Sequence, residues 1–295
     1  MMRTLHRSAL ALVALAPLWA CGGGEAPASD EAAPGGPAMS GPRVPMAPTA
    51  ADQLPSAIIG QAGPLQGTDL QYVDGDTLTT GYLAVPAGEG PFPALVIIHE
   101  WNGLVDRVRQ VADDLAREGY VTLAVDLYEG RTGSSPESNR ALVQEVQGDP
   151  PKMLANLNAA VAHLKGRPDV TGRVGAMGWC FGGGVALSFG LDGDQHEATA
   201  IFYGSLVDDP ERLAGLSHEV YGTFAELDQG IPPDAVASFE AALRAAGIEN
   251  DLHVYDAVNH GFWLHVDQDA DTRTAPALDA WQRLKAYLDR TLRAG

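Results

Sequence analysis

The 295-residue chain carries 38 acidic side chains against 19 lysines and arginines, a net charge of −19, and only two cysteines. So acidic a chain is repelled by phosphate backbones, which argues against nucleic acid as a partner, and two cysteines cannot build a disulfide framework. The length suits one sizeable core, and no internal repeat is visible.

At the N-terminus, Arg3 and Arg7 precede an apolar run from Ala9 to Leu18. The run is too short to remain as a spanning helix and has the form of an export signal over residues 1–20. Leu18-Trp19-Ala20-Cys21 then reads as a bacterial lipoprotein processing site with lipid on Cys21. Trp19 is bulky for that position, and plain cleavage near Ala20 is the alternative. Lipid at Cys21 would make this an exported bacterial lipoprotein of the cell envelope, on the outer membrane or its periplasmic face, touching the membrane through the anchor alone. Loss of residues 1–20 removes two arginines and no acid, taking the charge from −19 to −21. A covalent anchor serves such a chain better than attraction to anionic lipid. Residues 21–63, dense in Gly, Pro, Ala and Ser, read as a disordered linker, leaving one domain over 64–295.

Leu70–Val73 and Thr77–Val85 are expected as an opening hairpin turning at Asp74-Gly75. The run Ala94-Leu95-Val96-Ile97-Ile98 is apolar on both faces, as a buried parallel strand should be. Val108, Val111, Ala112 and Leu115 mark a helix closed by Gly119. A strand from Tyr120 to Val125 follows, then a helix through Leu154, Leu157, Val161 and Leu164. Next come a strand through Arg173–Met177, a helix from Phe181, and strands at Ala198–Tyr203 and Val220–Ala225. A helix through Val236, Phe239 and Leu243, a strand at Leu252–Tyr255 and a last helix through Trp281, Leu284 and Leu288 complete the chain. This alternation predicts an α/β fold with a mostly parallel central sheet and helices on both faces. Ligands of such sheets bind beyond the carboxyl ends of the strands.

The most informative motif is Gly178-Trp179-Cys180-Phe181-Gly182, a G-x-C-x-G elbow with sulfur where esterases usually carry serine. A nucleophile on so tight a strand-to-helix turn leaves room only for small residues two positions to either side. A thiol attacks as thiolate, so Cys180 needs a base and the positive end of a helix, and the helix after the elbow supplies the latter. His260, in the loop after the last strand, is the best-placed base. His163, His196, His218 and His253 lie in helices, connections or a strand, and His99 ends a strand where it could orient its neighbours. Asp228, also at a strand end, is the expected carboxylate partner, with Asp256 and Glu226 as competitors. The order nucleophile, acid, histidine is that of α/β-hydrolases. The amides of Trp101 and Phe181 are the expected oxyanion donors, and Glu100 stands where its loop opens over the thiol, able to tune protonation.

Together with these residues, His99-Glu100-Trp101-Asn102-Gly103-Leu104, Asp126-Leu127-Tyr128, His260-Gly261-Phe262 and Asp279-Ala280-Trp281-Gln282-Arg283 make residues 68 to 292 resemble the dienelactone hydrolases, an α/β-hydrolase family. The resemblance implies a Cys180-His260-Asp228 triad hydrolysing a small ester or lactone, a Glu100 that keeps the resting thiol neutral, and neither metal nor organic cofactor. The family clamps its substrate's carboxylate with two arginines. Arg131 could serve as one; no arginine follows His260 closely, and Arg273 is a distant substitute. Trp179, Phe262 and Trp263, grouped with Trp101 and Phe181, are therefore expected near the mouth, suiting a neutral or aromatic ester, thioester or lactone, with ordinary core packing as the alternative. A non-catalytic envelope binding protein on the same fold is the alternative.

Overall fold

Burial on both faces and parallel pairing organise the molecule around the strand Phe92–Ile98, here labelled β3. The computed structural model describes residues 51–193 and 196–294, so the expected export signal, Cys21 and most of the expected linker lie outside the described residues. The other strands are Thr68–Leu70 (β1), Gly81–Ala84 (β2), Val121–Val125 (β4), Val170–Trp179 (β5), Ala198–Phe202 (β6), Val220–Ala225 (β7) and Asn250–Tyr255 (β8). The helices are Asp106–Arg117 (α1), Pro136–Gly148 (α2), Pro150–Lys165 (α3), Phe181–Asp192 (α4), Pro210–Leu213 (α5), Pro233–Ala245 (α6) and Ala270–Leu288 (α7). The sheet order is β1-β2-β4-β3-β5-β6-β7-β8, antiparallel at β1–β2 and β2–β4 and parallel elsewhere.

Period-two alternation explains the double burial. Leu95 and Ile97 point into the cluster built with α1 and α7, whereas Ala94, Val96 and Ile98 point into the cluster built with α3 and α4. The register aligns Ile98 with Val125 on one side and Gly178 on the other, and Gly178 with Ile201. The loops after β3, β4, β5 and β6 therefore open on one edge.

Three expectations about elements need revision. The opening hairpin exists, but its strands are only Thr68–Leu70 and Gly81–Ala84, and Asp74-Gly75 is not its two-residue turn. Asp76 organises the longer connection by accepting from the Leu78 and Thr79 amides and the Thr79 hydroxyl. The helix α2 was not anticipated, although Ser135 caps it and Pro136 starts it. The expected linker also ends early. Leu54, Ala57 and Ile58 are buried, the Ala57 amide donates to Asp114 at 2.8 Å, and Arg107 bonds both the Ala57 carbonyl and Asp267. A few apolar residues scattered among Gly, Pro and Ala suffice here because polar groups of α1 fix the backbone.

Candidate active site

Cys180 sits between the end of β5 and the start of α4 with φ 57° and ψ −119°, a region that L residues adopt only under strain. The neighbouring glycines make the turn possible. A Cβ on Gly178 would lie 2.4 Å from the Gly182 carbonyl oxygen, and one on Gly182 would lie 2.4 Å from the Ile98 and His99 oxygens. The Cys180 amide donates to Phe202 at 3.0 Å, tying the elbow to β6. The thiol is partly exposed and free, at the N-terminus of α4.

His260 and Asp228 meet across two strand ends. His260 Nδ1 lies 2.6 Å from Asp228 Oδ2, while Asp228 Oδ1 accepts from the Gly230 and Ile231 amides at 2.8 and 3.2 Å. One carboxylate thus shapes its own turn and holds the imidazole. The competing acids are elsewhere: Glu226 accepts from the Ala257 amide, and Asp256 is exposed. Nε2 of His260 is buried without a hydrogen-bond partner, and the neighbouring group that acts on its basicity is the Cys180 thiol. Burial alone would lower the basicity of His260, but its bond with Asp228 and the nearby Cys180 thiol outweigh it and raise the imidazole well above its usual range. Burial would raise Asp228, and the His260 bond and two amides overcome it, holding the carboxyl below its usual value.

Fixed peptide planes surround the elbow. His99 is fully buried, and burial holds its imidazole neutral. Its Nε2 accepts from the Leu127 amide at 3.2 Å, so Nδ1 carries the proton and donates to the Glu100 carbonyl at 2.6 Å. The Glu100 carbonyl also accepts from the Gly103 amide. Glu100 C=O and Trp101 N–H share one trans peptide, so holding the carbonyl fixes the direction in which the Trp101 amide points. Phe181 is the first residue of α4, where amides lack helical partners.

Two residues without a role in the sequence reading complete the rim. Tyr203, at φ 40° after β6, packs edge-on to His260 with ring centroids 4.9 Å apart and accepts from the Leu264 amide. Burial first, then the charges of Glu100 and Cys180, push its phenol well up. His265 Nε2 lies 3.0 Å from Glu100 Oε2, so the Glu100 carboxylate is hydrogen-bonded to an imidazole rather than to the thiol. The only sequence signal for either was position: Tyr203 directly follows β6, and His265 lies in the loop after β8, five residues past His260.

Several expected site residues lie elsewhere. Trp179, Phe262 and Trp263 are each 0% exposed. Trp179 stacks on Trp263 at 5.8 Å and packs on Phe202. Successive residues of a strand face opposite ways, so Trp179 goes into the α7-side core while Cys180 turns out. Trp101 and Phe181 are the expected aromatics that remain partly exposed. Arg131 is bound to Glu145 by two bonds of 2.9 and 2.6 Å and lines a cavity that none of Cys180, His260 or Asp228 borders. Arg273 reaches the His260 loop but donates to the His265 carbonyl and Asn259 Oδ1. His196 and His218 share the Thr199 hydroxyl, His163 lies in α3, and His253 packs on Tyr255 within β8. Among the described residues, no three His, Cys, Asp or Glu side chains converge as a metal site.

A mostly parallel sheet flanked by helices, with an elbow at the end of its central strand, defines the α/β-hydrolase fold. Residues 79–292 match the dienelactone hydrolase family. A Methylorubrum extorquens protein named "Putative carboxymethylenebutenolidase" is 33% identical over 225 residues, covering 72% of this chain and 77% of that one. A Synechocystis protein of the same name is 30% identical, covering 72% and 92%. Among solved structures, a dienelactone hydrolase-like promiscuous phosphotriesterase from metagenomic libraries superposes with a TM-score of 0.68 at 22% identity, covering 78% of this chain and 100% of that one, a likeness of fold. The chain belongs to the dienelactone hydrolase family.

Proposed function

We propose that this protein hydrolyses carboxylic ester or lactone bonds, with Cys180 as nucleophile, His260 as its base and Asp228 as the partner of His260. The observation that carries the reading is the 2.6 Å His260–Asp228 bond beside a strained, partly exposed thiol. The names of the relatives point to the same bond type.

The chemistry follows from the raised imidazole. The thiol proton passes to His260 Nε2, and Asp228 compensates the resulting charge. The thiolate adds to the substrate carbonyl, and the Trp101 and Phe181 amides receive the oxyanion. Collapse breaks the C–O bond as His260 returns the proton to the leaving alkoxide. A water deprotonated by His260 then opens the thioester, releasing the acid and restoring the thiol. A thioester forms readily from activated esters and lactones but poorly from amides, whose nitrogen leaves less easily than sulfur.

Hydrolysis of a 4-nitrophenyl ester tests the assignment. Cys180→Ala and His260→Ala should each reduce kcat/KM by about 10³-fold or more. Undiminished activity in either variant would remove that residue from the mechanism, and no turnover of any ester or lactone by the wild type would favour the binding-protein alternative.

A further inference from the structure

Residues 54–61 precede residues 79–292, the part of the chain that matches the dienelactone hydrolase family, yet they are built into the domain. Leu54, Ala57 and Ile58 are buried in the same apolar cluster as Phe262, Trp263, Leu264 and Val266 of the loop that carries His260. Asp114 of α1 fixes their backbone, accepting from the Ser56 hydroxyl and the Ala57 amide at 2.8 Å each. The segment then turns at Gly60, with φ 70°, where a Cβ would lie 2.9 Å from Asp267 Oδ2. Two links close this approach. The Asp267 amide donates to the Ile58 carbonyl at 3.2 Å, and Arg107, in the first turn of α1, bonds both the Ala57 carbonyl and, at 2.6 Å, the Asp267 carboxylate. Asp267 stands at the far end of a run of turns that begins beside His260: the His265 amide donates to Gly261, the Gln268 amide to His265 and the Asp269 amide to Val266, at 3.1 to 3.2 Å.

We propose that residues 54–61 are a strap that positions the His260 loop, with Arg107 as the positioning residue that locks strap and loop together. The inference rests on the ester hydrolase reading above and adds to its machinery a segment outside the matched residues. Asp228 fixes the His260 ring at Nδ1 by one bond, so the bearing of Nε2 on the thiol depends also on where the loop backbone lies. With Asp228 holding one end of the loop and the strap holding the other, the hydrogen-bonded turns between them are kept from shifting as a body. Proton transfer is steep in such placement, a displacement of about 1 Å costing on the order of 10²-fold. The strap acts through the base, so its loss belongs in kcat more than in KM.

Variants of the full chain test this with two readouts: hydrolysis of 4-nitrophenyl butanoate, and the His260 titration followed by nitrogen NMR, which needs no turnover. Arg107→Gln should lower kcat about fivefold or more with KM changed less than about twofold, and should shift the His260 titration downward as the imidazole moves off the thiol. Arg107→Lys keeps the charge but cannot fork to both acceptors, so it should restore less than about half of the lost kcat. Asp267→Ala combined with Arg107→Gln should cost no more than Arg107→Gln alone, since both cut one link. Ile58→Ala should lower kcat and the urea midpoint together. Leu164→Ala, which removes a fully buried side chain at the opposite end of the sheet, should lower the urea midpoint and leave kcat and the titration in place. A kcat and a titration unmoved by Arg107→Gln, or a kcat lowered as far by Leu164→Ala as by Ile58→Ala, overturns the strap. Full recovery with Arg107→Lys assigns the effect to charge and overturns the lock. Failure of the hydrolase reading looks different: no turnover by the wild type, or activity surviving in Cys180→Ala, while the titration still reports on the strap.

Discussion

The loop after β4 and the loop after β8 leave the same edge of the sheet, and each carries a basic side chain that sequence alone marks for the site. They use it differently. In the first, Asp126 accepts from the Tyr128 and Gly130 amides to set the turn, and Arg131 folds onto Glu145 of the adjoining α2. In the second, His260 is held by Asp228 from the end of β7 and His265 by Glu100 from the end of β3. A side chain whose partner comes from the next helix closes a local structure. One whose partner comes from another strand end is carried to the place where strands converge.

The largest effect should come from cutting the cross-strand bond in the second loop. Asp228→Asn leaves the shape but removes the charge that stabilises the imidazolium, and kcat should fall by about 10³- to 10⁴-fold. The His260 titration, followed by nitrogen NMR, should move down toward the ordinary imidazole range; a His260 that still titrates high would assign its basicity to Cys180 alone. The same linkage has a stability sign. A raised histidine contributes fully below its unfolded pKa and loses that contribution as pH climbs through the folded value. The urea midpoints of wild type and His260→Ala should therefore draw together with rising alkalinity.

Next in size is Trp179→Ala, one residue from Cys180 yet in the core. It should cost about 3–5 kcal/mol of unfolding free energy through the cavity it leaves. A loss of substrate binding with unchanged stability would instead return Trp179 to the mouth. The smallest effect is expected from Arg131→Gln: an exposed pair is worth less than about 1 kcal/mol, and kcat/KM for an uncharged ester should change by less than about threefold. A tenfold rise in KM confined to carboxylate-bearing esters would break the contrast between the two loops.

The legible parts of the sequence are those with short-range causes. The β3 run, the α1 periodicity and the Gly178–Gly182 elbow each reflect local sterics or burial on both faces. Asp228 and His260 were legible because both follow strands of one parallel sheet. Trp179, Phe262 and Trp263 were misplaced because nearness in sequence to Cys180 and His260 does not say which face a residue takes. His265 went unrecognised because its partner is 165 residues away. Leu54, Ala57 and Ile58 were missed because their burial depends on Asp114 and Arg107 of α1.

The sequence by itself determined the alternation of strands and helices, the glycine-flanked elbow at Cys180 and the chain order of sulfur, carboxylate and imidazole, since the first two are written in residues a few positions apart and the third in the order of the strands they follow. Only the tertiary structure decided that Asp228 rather than Glu226 or Asp256 takes the histidine, that the tryptophan beside the thiol is buried, and that Glu100 has an imidazole for a partner. Those outcomes depend on which groups sheet register and packing bring within about 3 Å, and no local pattern encodes that distance.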